Sequence, residues 1–200
     1  MNILIVATEV SPFAKTGGLA DVVSSLSIEW KKKGHRPVII MPKHRRIDIQ
    51  KYNFHPTFLT LLVPMGYWTE YATLWRGKLP NSEVEVYLVE NNSYFDRPGI
   101  YGDTSEYMDN DRRFIFLSRA AFEAAKALDF KPDILHAHDY HAAYTMPFLK
   151  THYKNDPFFA RTAGVFTIHN LAYQGRFDPQ AAMEYSSFGM QNFYSGSWFE

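Results

Sequence analysis

Two stretches of this chain hold the residue types that binding and catalysis require. The first is Lys15-Thr16-Gly17-Gly18-Leu19-Ala20-Asp21-Val22. A lysine and paired glycines between an apolar run and an amphipathic one make a corner suited to an anion or a sugar phosphate. Gly17 and Gly18 would let the backbone turn and come close to a ligand. The unpaired first amides of the following helix would face that ligand, with the positive end of the helix dipole behind them. The segment is neither G-x-G-x-x-G nor G-x-x-x-x-G-K-[ST], so a tight turn with an exposed lysine fits the pattern equally well. The second stretch is His169-Asn170-Leu171-Ala172-Tyr173-Gln174-Gly175. A neutral histidine both donates and accepts, and side-chain amides can serve sugar hydroxyls. The competing reading is an asparagine-capped turn with Tyr173 packed on it and Gly175 supplying freedom of backbone.

A third group, His136, His138, Asp139 and His141, contains metal-ligand types. On a strand, however, His136 and His138 share one face while Ala137 and Asp139 share the other. H-E-x-x-H is absent, and nothing fixes a third ligand, so no metal site is expected. His136 is expected to be a satisfied structural histidine, and Asp139, at the strand tip, is a candidate ligand contact. No serine elbow is present to support triad chemistry.

The elements that must position these residues follow from pattern. Residues 3–7 form a short apolar run, as expected of a strand covered on both faces. Residues 21–33 read as a helix stopped by Gly34, with Val22, Val23, Leu26 and Trp30 toward the sheet. Residues 37–41 resume as a second parallel strand, completing a βαβ unit. Strands are expected at 58–63, 71–75 and 84–89, spaced too closely for crossover helices, hence hairpins or an edge extension. Residues 91–109 read as loop with a short helical turn, and 111–128 as a long helix with Phe114, Leu117, Ser118, Ala121, Phe122 and Ala125 on its apolar side. Then come a strand at 134–139, a helix at 142–153 kinked at Pro147, and a strand at 164–168. The polar ends of the two later strands, 134–139 and 164–168, and Lys15 after the first strand should converge beyond the carboxyl edge of an open α/β sheet. The tail 182–200, with Trp198-Phe199 as its last apolar pair, shows no stop signal and reads as a cut in a longer protein.

Composition sets the class. With 46% hydrophobic and 21% charged residues, the 200-residue chain has the makeup of one globular core or one domain of a larger protein. Lys plus Arg and Asp plus Glu are both 21, so the net charge is zero and nothing suggests nucleic acid. The cluster Lys43-His44-Arg45-Arg46 is too short to change that. The absence of cysteine excludes disulfides and thiolate chemistry and fits a reducing compartment. No apolar stretch approaches the roughly 20 residues that span a bilayer, and the amino terminus lacks a signal peptide's basic region. A cytoplasmic chain with no membrane partner is expected. Aromatics at 16%, including 13 tyrosines, suit carbohydrate, since rings stack on sugar faces and hydroxyls bond to them. Much of that count must nevertheless serve the core.

Taken in order, Lys15-Thr16-Gly17-Gly18-Leu19-Ala20-Asp21-Val22, Tyr94-Phe95-Asp96-Arg97, His136-Ala137-His138-Asp139 and Thr167-Ile168-His169-Asn170-Leu171-Ala172-Tyr173-Gln174-Gly175 resemble the bacterial glycogen synthases and plant starch synthases. The resemblance covers residues 1–175, nearly the whole chain. It implies an α/β fold: a three-layer, Rossmann-like, doubly wound and mostly parallel sheet, the amino-terminal, acceptor-side half of a GT-B glycosyltransferase. Residues 1–200 would be that domain, and the carboxyl-terminal nucleotide-binding domain is not in this chain. The implied reaction is retaining transfer of glucose from ADP-glucose to the non-reducing 4-OH of an α-1,4-glucan or maltooligosaccharide. ADP-glucose is a substrate, and no cofactor is implied.

By motif, the resemblance puts Lys15 at the donor's phosphates or glucose, Gly17 and Gly18 at the phosphate corner with the Gly18 amide near the diphosphate, and Asp139 and His169 beside the transferred glucose. Glu9, Asp21, Tyr94, Asn170 and Tyr173 are implied as cleft residues. Tyr140 stands where tryptophan is common in the family. His44 lies where a tyrosine often does, which leaves acceptor contact there open. Two other readings stay open on sequence: a glycosyltransferase of the same architecture with a small acceptor, and a non-enzymatic carbohydrate-binding module.

Overall fold

Ile3-Leu4-Ile5-Val6 offers no polar side chain to water on either side, and the chain places it inside a sheet, with a strand on each side. The computed structural model describes residues 1–189 and 192. In chain order the elements are β1 (Asn2–Val6), α1 (Leu19–Lys32), β2 (Arg36–Pro42), β3 (His55–Met65), β4 (Trp68–Lys78) and β5 (Glu85–Glu90). There follow α2 (Asn92–Phe95), α3 (Asn110–Ala127), β6 (Ile134–His138), a 3-10 turn at Tyr140–Ala142, α4 (Thr145–Lys150), β7 (Ala163–Thr167) and α5 (Pro179–Ser186). The sheet order is β3-β4-β5-β2-β1-β6-β7. β1 pairs in parallel with β2 and β6, β2 with β5, and β6 with β7. β3 and β4 are the antiparallel edge extension expected from their spacing.

Alternation along the central strands divides the core in two. Ile3, Ile5, Ile39 and Met41 pack with Leu19 and Val23 of α1. Leu4, Val6, Val38 and Ile40 pack on the opposite side with Phe116, Leu117, Ala120 and Ala121 of α3. Each fully buried side chain of this size contributes about 1.5–3 kcal/mol, so the sheet is held from both faces, as a doubly wound fold requires. Gly34, at φ +82°, ends α1 in the left-handed conformation that glycine adopts without strain.

Two details differ from the sequence pattern. The buried stripe of α1 is Leu19, Ala20, Val23, Ser24 and Ser27, and Val22 is 43% exposed. The helix turns this way because Ser24 and Ser27 return their hydroxyls to the carbonyls of Ala20 and Val23 (2.8 and 2.6 Å), so two small polar residues can sit against the sheet. Leu26 and Trp30 are half-buried. The helix expected at 142–153 is split into the 3-10 turn and the six-residue α4. Pro147 is the third residue of α4, where a missing N–H removes no helical bond, so it causes no kink. The Trp198-Phe199 pair lies outside the described residues. Among those residues no helix is long and apolar enough to cross a membrane.

Candidate active site

β1 has β2 on one side and β6 on the other, so the winding of the sheet reverses there. Such a reversal opens a crevice beyond the carboxyl ends of the strands. Glu9 follows β1, Asp139 follows β6 and His169 follows β7, and all three line one cleft of about 660 Å³ together with Gly17, Gly18 and Tyr101. Asn170 and Tyr173 lie on the same wall. An apolar groove of the same volume runs beside it over α4 and β7. Among the described residues no carboxylate, histidine, lysine or arginine lines that groove, so acid–base and charge chemistry belongs to the first cleft.

Asp139 is the hinge of this arrangement. Its N–H donates to the Thr167 carbonyl (2.9 Å) as the last rung between β6 and β7. Its backbone then turns to φ 56°, ψ 176°, a conformation that costs a non-glycine residue on the order of 1–3 kcal/mol. The turn brings its carboxylate back so that Oδ1 accepts the His169 N–H at 2.7 Å. Nε2 of His169 shares a hydrogen bond with Nδ1 of His138 at 2.9 Å. His169 is thus held at its backbone and at its ring.

The glycine corner is shaped by Glu9. This residue is 3% exposed, and its carboxylate accepts the Thr16 hydroxyl (2.7 Å), the Thr16 N–H and the Gly17 N–H (3.2 Å). The Tyr101 hydroxyl also donates to it. Four donors therefore solvate a buried anion in place of water. Burial and the Glu9 charge push the Tyr101 hydroxyl up, so it stays a donor. The Gly17 amide is used by Glu9, whereas the amides of Gly18, Leu19 and Ala20 make no hydrogen bond to the described residues. Neither Gly17 nor Gly18 has positive φ, and a Cβ at either would meet nothing within 4 Å. The turn itself does not demand them; what they leave is open space on the cleft side. Gly175 does need to be glycine, at φ +60° with Tyr140 where a Cβ would stand.

Lys15 stands at the rim, half-exposed, with its ammonium 2.6 Å from Asp21. Among the described residues the cleft wall carries Glu9, Glu106 and Asp139 and no lysine or arginine. This half of the site is therefore acidic. Asn170 accepts the Ala172 N–H at 2.9 Å, the capped turn that the sequence allowed, but Tyr173 is 61% exposed instead of packed.

Tyr94 is not brought to the cleft. It is 3% exposed in the core under β4, and its hydroxyl donates to Glu70 at 3.0 Å. The rest of its block is a clamp: Arg97 grips Asp109 through two bonds (2.7 and 2.6 Å) and Arg45 pairs with Asp96. Arg113, fully buried, donates to the carbonyls of Tyr94 and Ile100 and to Asn110, fixing the loop that delivers Tyr101. Sequence reading missed Tyr101, Glu106 and Arg113. An arginine three residues after Asn110 and four before Leu117, on the buried face of α3, was the available signal.

The histidines behind the cleft are neutral. Burial lowers His44 and His136 to about 4 and His138 and His141 to about 3. His44, bonded at Nε2 to the Thr8 carbonyl (2.9 Å), is 3% exposed and presents no surface to an acceptor. His136 meets the Thr167 hydroxyl at 2.7 Å, the structural role expected of it. Among the described residues no group of three or more His, Asp or Glu could hold a metal ion.

Comparison with known proteins bears on the family and the fold. The family described as the starch synthase catalytic domain matches residues 2–199. Glycogen synthase 1 of Geobacter sulfurreducens is 46% identical over 195 residues, 96% of this chain and 39% of that protein. Glycogen synthase of Elusimicrobium minutum is 45% identical over 180 residues, 88% and 36% of the two chains. The solved catalytic domain of starch synthase IV from Arabidopsis thaliana, bound to ADP and acarbose, superimposes with a TM-score of 0.78 at 30% identity. That match covers 86% of this chain and 34% of the other. The chain spans about two fifths of the length of these curated relatives. By sequence over nearly its whole length and by fold, the chain belongs to the starch synthase catalytic domain family.

Proposed function

We propose that the protein containing this chain is a hexosyltransferase that moves glucose from ADP-glucose to the non-reducing 4-OH of an α-1,4-glucan, with retention at the anomeric carbon. The observation that carries this reading is the meeting of Asp139, His169 and the uncapped start of α1 at one cleft, in a chain of this family. The Arabidopsis relative was solved with ADP and acarbose, which supports a nucleotide-bearing donor here too.

In this reading Asp139 and His169 stand beside the transferred glucose, and the His169 ring bonds to its hydroxyls. The acidic wall suits the positive charge that develops on the sugar as its bond to the diphosphate lengthens. The same wall opposes the diphosphate: like charges about 4 Å apart repel by about 4 kcal/mol at an effective dielectric near 20. The diphosphate therefore belongs at the amides of Gly18, Leu19 and Ala20, with Lys15 swung from Asp21 toward it. Further cations come from the carboxyl-terminal domain of the same protein.

Incubating the full-length protein with ADP-glucose and glycogen should release ADP and lengthen the glucan. No release with any nucleoside-diphosphate glucose overturns the reading. Preference for a glucose phosphate over glycogen as acceptor would assign a small-acceptor enzyme instead.

A further inference from the structure

His138 Nδ1 and His169 Nε2 are 2.9 Å apart, with ring centroids separated by 5.2 Å and planes within 15° of parallel. For two neutral rings, one nitrogen holds the proton and the other accepts it. The other nitrogen of His138, Nε2, is buried and without a partner among the described residues. His138 is 1% exposed, and the His136 ring packs against it at 4.1 Å. A proton on that Nε2 would bury an N–H with no acceptor, which folded proteins avoid more strictly than a bare lone pair. The proton therefore sits on Nδ1 and is donated to His169. Burial keeps His138 neutral, with its value lowered to about 3, so a single proton is available to place.

The consequence passes to His169. Its Nε2 is an acceptor, so in the neutral ring the proton is on Nδ1, and that nitrogen makes no hydrogen bond to any described residue. We propose that His138 is a positioning residue that fixes His169 as the Nδ1–H tautomer, so that His169 offers the cleft a hydrogen-bond donor for a substrate oxygen rather than a lone pair. The role in turnover rests on the glucosyl-transfer reading of the cleft; the tautomer does not.

The test therefore reads both. Full-length protein labelled with ¹⁵N-histidine is studied at pH 8, where an ordinary imidazole is neutral, by long-range ¹H–¹⁵N correlation. His169→Gln assigns the signal. Wild type should show His169 protonated at Nδ1. His138→Asn, which can still donate from the same place, should keep that tautomer and keep kcat within about threefold. His138→Asp, which when ionised can only accept, should move the proton to Nε2 and lower kcat at least tenfold on the same donor and acceptor, with KM changed less. An Nε2–H tautomer in the wild type overturns the proposal whether or not the variants fold and whatever the reaction proves to be. Full kcat in a His138→Asp protein whose tautomer has moved overturns the role in turnover.

Discussion

The N–H of His169 donates to Oδ1 of Asp139 at 2.7 Å, tying the tip of β7 to the tip of β6 across the mouth of the cleft. A hydrogen bond to a charged group contributes about 1.5–3 kcal/mol. Asp139→Ala should therefore lower kcat by roughly tenfold to a hundredfold, and Asp139→Asn by less, because an amide oxygen still accepts. Asp139→Gly should have a higher melting temperature than Asp139→Ala, since only glycine is at ease at φ 56°, ψ 176°. Steady-state rates and thermal melts on the three variants check both parts. Full kcat in Asp139→Ala would reduce the tie to a structural one.

Lys15 and Asp21 form an exposed ion pair, with each side chain about half accessible. Such pairs contribute at most about 1 kcal/mol to stability. Lys15→Ala should leave the melting temperature nearly unchanged and lower kcat/KM for ADP-glucose about tenfold to a hundredfold, through loss of one charge-assisted contact to the donor. A large fall in melting temperature with unchanged kcat/KM would show that the pair, and not the ligand, is what Lys15 serves.

Tyr101 is linked to the glycine corner through Glu9, which accepts from its hydroxyl and from the Gly17 N–H. Tyr101→Phe leaves the buried carboxylate one donor short, a loss of about 1–3 kcal/mol. Amide exchange at Thr16 and Gly17 should quicken, and KM for the donor should rise more than kcat falls. Unchanged exchange at Gly17 would sever the proposed link between the 94–110 loop and the corner.

What could be read from the sequence was what local pattern encodes. The apolar run before Glu9, the glycine stop at Gly34, and polar residues ending two later apolar runs marked β1, α1 and β2 and put Asp139 and His169 at strand ends, which is where the structure has them. Val22 was misplaced because two serines that satisfy themselves on the helix look polar in a periodicity count. Tyr94 was drawn to the cleft by its motif, whereas Glu70 on a distant strand claims its hydroxyl. Tyr101 stayed hidden because it lies on an irregular loop and bonds to Glu9, 92 residues away. Arg113 left a trace in its place on the buried face of α3, but the loop carbonyls that it holds do not show in its spacing.

Stability should fall on mild acidification. His44 faces the Thr8 carbonyl, Arg113, Glu9 and Arg46; His141 faces Arg113 and His44; His138 faces His136 and His169. Their folded values, about 3 to about 4, lie below the ordinary 6.5, so the unfolded chain takes up protons first as pH drops. Their contribution is full above pH 6.5 and is lost as pH falls toward 4, by up to about 1.4 kcal/mol per histidine for each pH unit. Carboxylates such as Glu90 and Asp109, whose values are lowered, weaken the fold only at lower pH. Urea midpoints at pH 7.5 and 5.5 test this: equal midpoints would mean that these histidines are not buried in neutral form.

The 200-residue chain alone should fold but not turn over. Among the described residues its cleft wall has three carboxylates and no lysine or arginine, and its rim lysine is already paired. Stabilising a departing diphosphate requires positive groups aimed at the charge as it develops, and this half supplies mainly free helix amides. Binding of a neutral maltooligosaccharide is not subject to that repulsion, so weak affinity for the glucan should persist where affinity for ADP-glucose is lost. Titrating the purified chain with each ligand by calorimetry, alongside an ADP-release assay, separates the two. Measurable turnover by the chain, free of full-length enzyme, would show that the cations needed for diphosphate departure are already present within these residues.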